Sequence, residues 1–296
     1  KKKKNAADGY CRATGGASAV FVTYSVGGLS LLNAVAGAYA EDLPMIAVSG
    51  GPNTNSEAEF EMLHHTLGLL DYDYQRDIFS KVTAEAVTIH DPREAPTQID
   101  HAIQTALRFR KPVYIEIACN IADAVTSAPN VRSFGGPTAS DSLSLNAAVD
   151  RAVELLNAAT KPVLVAGVKL RSFGAEANFQ KLADASGYAI ASMPNAKGFF
   201  NEQHPHYMGI YWGPVGTPGC GEIVDSSDLC LFAGGTFTDY TTTGHAALIN
   251  PDKVIQARPN SVVFPNQTFS NVKLTEFLEL LATKLKPNDG SIFFFF

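Results

Sequence analysis

The 296-residue sequence contains little cysteine and has no excess of basic charge. Its four cysteines form no C-x-x-C pair and have no metal-like spacing to histidine, so neither a disulfide framework nor a zinc site is indicated. We therefore expect reduced thiols in a cytoplasmic protein. The net charge of −6 provides no basic surface for nucleic acid. It also argues against an anionic membrane as a partner.

A second absence is that of a true membrane span. Residues 15–40 carry no charge and are long enough to cross a bilayer. However, Gly27 and Gly28 stand in the middle of this run, among several hydroxyl and amide side chains. This composition predicts a buried strand, a turn and a packed helix. No signal peptide is visible, and the protein is expected not to associate with a membrane.

Short apolar strands alternate with helical patterns along the chain, which is typical of mainly parallel sheets covered by helices. The predicted fold class is therefore α/β, with two tandem domains, each a mainly parallel sheet flanked by helices. In the first domain, strands are predicted at 19–24, 45–49 and 112–117. The helix after the first strand should bury Leu29, Leu32, Val35, Ala36 and Tyr39, and Asp91-Pro92 should start a later helix.

Residues 123–141 are rich in Ala, Ser, Thr, Gly and Pro and are predicted to be a linker. The first domain is then 1–122 and the second 142–286, with strands at 162–168, 188–192, 228–233 and 253–257 and helices at 176–185 and 274–285. Residues 287–296 are expected to be a further linker or an artefactual tail. The homopolymer runs Lys1–Lys4 and Phe293–Phe296 are expected to be artefacts outside the fold.

Ligands of parallel α/β sheets bind beyond the carboxyl ends of the strands. Three segments are predicted to lie there: residues 23–28, residues 49–53 leading on to the pair His64-His65, and residues 234–240 in the second domain. Their glycines lack the G-x-G-x-x-G or G-K-[ST] context of a nucleotide loop, so tight turns with close backbone approach are the favoured interpretation.

The adjacent histidines His64 and His65 are the candidate catalytic pair. Neighbouring side chains on a helix or strand point in different directions, so regular structure cannot aim both rings at one target. Either the pair lies in a turn, or the two rings have different roles. The alternative is that they are surface or structural histidines.

Several segments together resemble one known family. They are "AADGYCRATG", "VFVTYSVGGLSLLNAVAGAYAEDLPMIAVSGGPN", "LHHTLG", "KPVYIEIACNIA", "HPHYMGIYWG" and "FTDYTTTGH". In this order they look like the thiamine-diphosphate-dependent 2-keto acid decarboxylases of the pyruvate decarboxylase type. The resemblance covers about residues 5–285. The His-His pair in this setting separates such decarboxylases from acetolactate synthases and other relatives of the same fold.

The resemblance implies a pyrimidine-binding-type domain that lacks its N-terminal part, followed by the central domain. It implies decarboxylation of pyruvate to acetaldehyde and CO2 with thiamine diphosphate and Mg²⁺. His64 and His65 would reach into the site, one shuttling protons and the other orienting it or polarising the substrate carboxylate. Thr23, Ser25 and Val26 would lie beside the pyrimidine or the substrate.

The resemblance also implies features that this sequence does not contain. A glutamate that protonates the cofactor's aminopyrimidine would fall just before Lys1. The domain that binds magnesium and diphosphate is absent, so no metal ligand is assigned here. Active sites between the chains of a homo-oligomer, a dimer or tetramer or larger, are expected.

Two alternatives stay open at this point. The same scaffold could act on indolepyruvate or phenylpyruvate. The chain could also be a non-catalytic α/β binding or assembly module.

Overall fold

The computed structural model describes residues 2–128, 138–246 and 249–288, with side chains from residue 5 onward. The chain divides into two compact units, Lys1–Thr138 and Ala139–Phe296. This division falls within the predicted linker 123–141, of which residues 129–137 lie outside the described part. The domain boundaries themselves stay a prediction.

The first unit contains a four-stranded sheet in the order β1-β2-β4-β3. All three pairings are parallel, which the predicted fold class requires. Its strands are β1 (Ser18–Val22), β2 (Met45–Gly51), β3 (Glu85–Ile89) and β4 (Val113–Ala118). Its helices are α1 (Lys2–Thr14), α2 (Val26–Ala40), α3 (Thr54–Ala58), α4 (Tyr74–Ser80) and α5 (Ala95–Phe109).

The uncharged run at 15–40 becomes β1, a turn and α2, as predicted. The face that α2 buries is different from the predicted one, because Gly28, Leu31, Val35 and Ala38 are buried whereas Leu29 and Tyr39 are exposed. The helix is apolar nearly all round, so hydrophobic spacing alone could not identify the buried face. Among the described residues, no helix has the length and hydropathy to cross a membrane.

Two further details of the first unit correct the sequence prediction. Helix α5 starts at Ala95, with Pro96 in its first turn, and not at Asp91-Pro92. The Asp91 carboxylate instead accepts the backbone N–H of Arg93 (2.9 Å) in a separate turn. The lysines Lys2–Lys4, which were expected to lie outside the fold, begin α1.

The second unit contains a seven-stranded sheet in the order β11-β10-β9-β8-β5-β6-β7. It is parallel from β9 to β7, whereas β10 pairs antiparallel with both of its neighbours. The strands are β5 (Pro162–Ala166), β6 (Ala189–Ser192), β7 (Tyr207–Ile210), β8 (Leu229–Ala233), β9 (Val254–Arg258), β10 (Ser261–Phe264) and β11 (Gln267–Ser270). The helices are α6 (Ser142–Ala158), α7 (Lys169–Ser172), α8 (Glu176–Ser186), α9 (Cys220–Ser226) and α10 (Leu274–Lys284).

The prediction missed helix α6, which directly follows the predicted linker. Asp141 caps it by accepting the backbone N–H of Ser144 (2.8 Å), and Ala148, Val149, Ala152 and Leu156 form its buried face. The predicted terminal segment 287–296 is described only to Asn288, whose N–H donates to the Ser186 carbonyl (2.9 Å). Its remaining residues, with Phe293–Phe296, lie outside the described part.

Candidate active site

The loop that follows β1 leads sharply into α2. Ser25 is only 8% exposed and has the left-handed φ of 57°. The Gly28 N–H donates to the Thr23 carbonyl (3.1 Å) and the Leu29 N–H to the Ser25 carbonyl (2.8 Å). The side chain of Val26 is 75% exposed, and Thr23 is exposed as well. Two of the three predicted cofactor-binding side chains therefore lie at the surface beyond the carboxyl end of β1.

Glycines at these strand ends allow close packing, as the sequence predicted. A Cβ atom at Gly28 would overlap the buried Gln75 amide, and one at Gly51 would lie 2.9 Å from Cγ of Glu116. In the second unit, a Cβ atom at Gly167 would overlap the backbone of Gly234. These positions exclude a larger side chain for reasons of packing.

His64 and His65 lie in a turn, which is the first of the two arrangements that the sequence allowed. We call residues 63–66 the histidine turn; the Thr66 N–H donates to the Leu63 carbonyl across it (3.1 Å). The two imidazoles stack, with ring centroids 4.6 Å apart and an angle of 27° between the planes. His64 is exposed, whereas His65 is partly buried. Both rings therefore face the same side of the chain but differ in environment.

Three tyrosines hold the histidine turn against the first unit. The Tyr74 hydroxyl donates to the His65 carbonyl (3.3 Å). The Tyr24 hydroxyl donates to the Tyr72 carbonyl (2.8 Å), and the Tyr72 hydroxyl donates to the Glu61 carbonyl (2.7 Å). The Tyr74 bond is made to the turn itself, whereas the other two bonds link Glu61, which precedes the turn, through Tyr72 to Tyr24 after β1.

Tyr24 brings the two predicted segments of the first unit together. Its ring lies edge-on to His65, with centroids 5.2 Å apart, and also contacts the ring of Tyr74 at 5.7 Å. The residues beside Tyr24, Thr23 and Ser25, were predicted as site residues, whereas Tyr24 and Tyr74 were not. The signal in the sequence was the position of Tyr24 between two candidate residues.

His65 is the more unusual of the two imidazoles. Burial lowers its pKa, and the neighbouring His64 lowers it further. Its Nδ1 atom is buried and has no hydrogen-bond partner among the described residues. A neutral imidazole with an open ring nitrogen can accept a proton and return it.

The third predicted segment, residues 234–240, lies in the second unit. There the Lys169 N–H donates to the Gly234 carbonyl (3.0 Å), and the Gly167 N–H donates to the Ala233 carbonyl (2.8 Å). The backbone that follows β5 is therefore hydrogen-bonded to the backbone at the end of β8. Within the described ranges, no group of three or more His, Cys, Asp or Glu side chains could hold a metal ion.

Comparison with known proteins identifies the class to which these two units belong. Residues 4–74 match the family model of the thiamine pyrophosphate enzyme N-terminal TPP binding domain. Residues 149–285 match the model of the thiamine pyrophosphate enzyme central domain. The chain is thus built from two domains of the thiamine pyrophosphate enzymes.

Curated relatives identify the family within this class. The chain is 47% identical over 289 residues to pyruvate decarboxylase 3 of Arabidopsis thaliana, covering 96% of this chain and 48% of the relative. It is 46% identical over 287 residues to pyruvate decarboxylase 1 of Nicotiana tabacum, covering 96% and 68%. A probable pyruvate decarboxylase of Schizosaccharomyces pombe is 46% identical over 288 residues, with 97% and 50% covered. The chain belongs to the pyruvate decarboxylase family. It spans about half the length of most of these relatives.

Proposed function

We propose that the whole protein converts pyruvate to acetaldehyde and CO2 with thiamine diphosphate and Mg²⁺, and that this chain contributes the histidine turn to the active site. One observation carries the proposal. Two stacked imidazoles, one of them with an open ring nitrogen, lie next to the loop at the carboxyl end of β1. This edge of a parallel sheet is where ligands bind.

The residues at this edge fit one end of the cofactor. The exposed Thr23 and Val26 side chains and the buried Ser25 would hold the pyrimidine. When bound, the thiazolium of the cofactor accepts the electron pair that is released as CO2 leaves. The described residues contain no cluster of acidic or imidazole ligands for Mg²⁺, so we assign the diphosphate and the metal to residues outside them.

His65 is proposed as the group that holds and returns the proton in this reaction. Burial and the neighbouring His64 lower its pKa, which favours the neutral ring, and its buried Nδ1 has no hydrogen-bond partner among the described residues, so this atom can take up a proton. His64 stacks on it and is exposed, so it can orient the His65 ring and contact the substrate carboxylate.

The test is substitution of each histidine by phenylalanine in the full-length protein. We expect turnover to fall about 10²-fold or more, with cofactor binding nearly intact, because general acid–base groups contribute factors of this size. His101→Phe is the matched control, because the His101 side chain is exposed and pairs with Glu85 on β3 (2.7 Å), outside the histidine turn. Loss of folding and of cofactor binding together would instead assign that histidine a structural role.

We also propose that the whole protein is a homo-oligomer in the cytoplasm. The segment around the histidine turn carries apolar side chains that are between 49% and 70% exposed: Phe60, Met62, Leu67, Leu69 and Leu70. Exposed apolar clusters of this kind are typical of protein contact surfaces. The four cysteines are free thiols, which fits a reducing compartment.

A further inference from the structure

A buried polar cluster lies inside the first unit, apart from the residues assigned to the site. It consists of Ser49 on β2, Gln75 on α4, and Tyr114 and Glu116 on β4, each no more than 1% exposed. The Gln75 amide donates to the Tyr114 hydroxyl (2.6 Å) and the Ser49 hydroxyl (3.2 Å), and the Tyr114 hydroxyl donates to the Glu116 carboxylate. Such buried networks fix the elements that they join.

The Glu116 carboxyl is the member of this cluster whose burial costs the most folding free energy, because only it can carry a charge near neutral pH. Within the described part of the chain it forms no ion pair, and its closest partners are the Tyr114 hydroxyl and the Gln75 amide (3.5 Å). The other acidic groups that act on it are Asp73, at the start of α4, and Glu57 on α3. Burial and these two carboxylates raise the pKa of Glu116 to about 7, while its hydrogen bonds lower it.

Helix α4 contacts both the buried cluster and the histidine turn. Gln75 directly follows Tyr74, whose hydroxyl donates to the His65 carbonyl (3.3 Å). Tyr74 also contacts the ring of Tyr24, which in turn contacts the His65 imidazole. A second connection is electrostatic, because burial and then the charge of Glu116 are the main causes that raise the pKa of Tyr24.

We infer that Glu116 is a positioning residue for His65, because the cluster that it forms with Gln75 fixes the first turn of α4 and thereby Tyr74, whose hydroxyl donates to the His65 carbonyl and whose ring contacts Tyr24 beside the imidazole. The surroundings of His65 then depend on the Glu116 carboxyl through three contacts: Glu116 with Gln75, Tyr74 with Tyr24, and Tyr24 with His65. The importance of this role for turnover rests on the proposed function, whereas its effect on His65 does not.

The experiment measures the pKa of His65 in the 296-residue chain by NMR titration of the imidazole C–H signals, assigned with a His65→Phe variant. Glu116→Ala should loosen α4 and expose His65 to water, so the pKa of His65 should rise by about half a unit or more toward the ordinary histidine value. Loss of a negative charge alone would lower this pKa, so the direction separates positioning from a direct charge effect. Among the described residues, the rings of His64 and Tyr24 contact the His65 imidazole and the Tyr74 hydroxyl contacts its backbone carbonyl; all three residues are unchanged in this variant.

Three further variants make the result decisive. Glu116→Gln keeps the size and the acceptor oxygen and should leave the pKa of His65 unchanged. Tyr114→Phe keeps the ring stacked on Phe79 (4.2 Å) and should reproduce the rise even if Glu116→Ala does not fold. Thr83→Val is the control: it removes another buried hydroxyl, which donates to the Phe79 carbonyl (2.8 Å), and should not move His65.

An unchanged His65 titration in both Glu116→Ala and Tyr114→Phe would overturn the inference, whatever happens to stability. Because the titration needs neither cofactor nor substrate, this outcome is separate from failure of the proposed decarboxylation. The latter would appear as normal turnover after His64→Phe and His65→Phe.

Discussion

Replacing Glu116 by glutamine should make the first unit more stable at alkaline pH and leave its stability unchanged in acid. The side chain is 1% exposed and lies on β4, where its partners among the described residues are a hydroxyl and an amide and not a cation. Glutamine has nearly the same shape and can accept the same hydrogen bond from Tyr114. The substitution therefore removes little except the ability to ionise.

The magnitude follows from the difference between the ordinary carboxyl pKa of 4.5 and the folded-state pKa of about 7. One pKa unit corresponds to about 1.4 kcal/mol, so the folded state loses about 3 kcal/mol of stability relative to the unfolded state. Well below pH 4.5 the carboxyl is protonated in both the folded and the unfolded state and does not lower the stability. The loss grows as the pH rises from 4.5 to about 7 and is constant above that, which is opposite to the behaviour of a salt-bridged carboxylate.

Urea unfolding followed by circular dichroism between pH 4.5 and 8.5 measures this difference. The only tryptophan, Trp212, belongs to the second unit, so its fluorescence provides an internal control that should not differ between the two proteins. The pKa of His65 is lowered in both proteins, and its opposite pH dependence cancels in the comparison. A stability difference that does not grow with pH would refute the reasoning.

The remaining predictions concern packing, assembly and activity. Gly28→Ala should lower the free energy of unfolding by about 1–3 kcal/mol in the same denaturant assay, because the new methyl group overlaps the Gln75 amide. Gly37→Ala is the control in the same helix: its methyl group meets nothing within 4 Å, so the substitution should be neutral or stabilising. Sedimentation of the full-length protein should show an oligomer, and a fully active monomer would contradict this. Residues 1–296 alone, with thiamine diphosphate and Mg²⁺ in excess, should form no acetaldehyde from pyruvate in an assay coupled to alcohol dehydrogenase; turnover that depends on His64 and His65 would contradict this.

Many of the strands and helices could be predicted from local composition. The strands at 45–51 and 113–118 are nearly continuous apolar runs, which is how strands buried on both faces of a parallel sheet are composed. β3 and α6 were missed for different reasons. β3 (EAVTI) has only one fully buried residue, and α6 starts in a Ser-rich stretch that resembles a linker, so its amphipathic pattern was not recognised.

The sequence predicted candidate residues for the site but not the contacts that these residues make. The sequence left open whether His64 and His65 lie in a turn or have different roles. The strand-end rule placed residues 23–28 near a ligand, and the choice of Thr23, Ser25 and Val26 among them came from the family resemblance. Nothing in the sequence showed that the Tyr24 ring would contact the His65 ring or that the Gln75 amide would lie within hydrogen-bond distance of Glu116. The Gln75–Glu116 contact depends on how α4 packs on the sheet, and both contacts join residues more than 40 positions apart in the chain.

The order of strands in the first unit has a consequence for how the site is formed during folding. β2 pairs with β4, so that Ser49 lies opposite Glu116, and the whole segment with the histidine turn, β3 and α5 lies in the chain between them. Closing such a long loop costs entropy before any contact compensates for it, which makes parallel pairings of this kind slow. The buried cluster that orders α4 can form only once β4 has joined β2. The histidine turn should therefore be among the last parts of the first unit to become protected from hydrogen exchange during refolding, and among the first to lose that protection when β4 is destabilised.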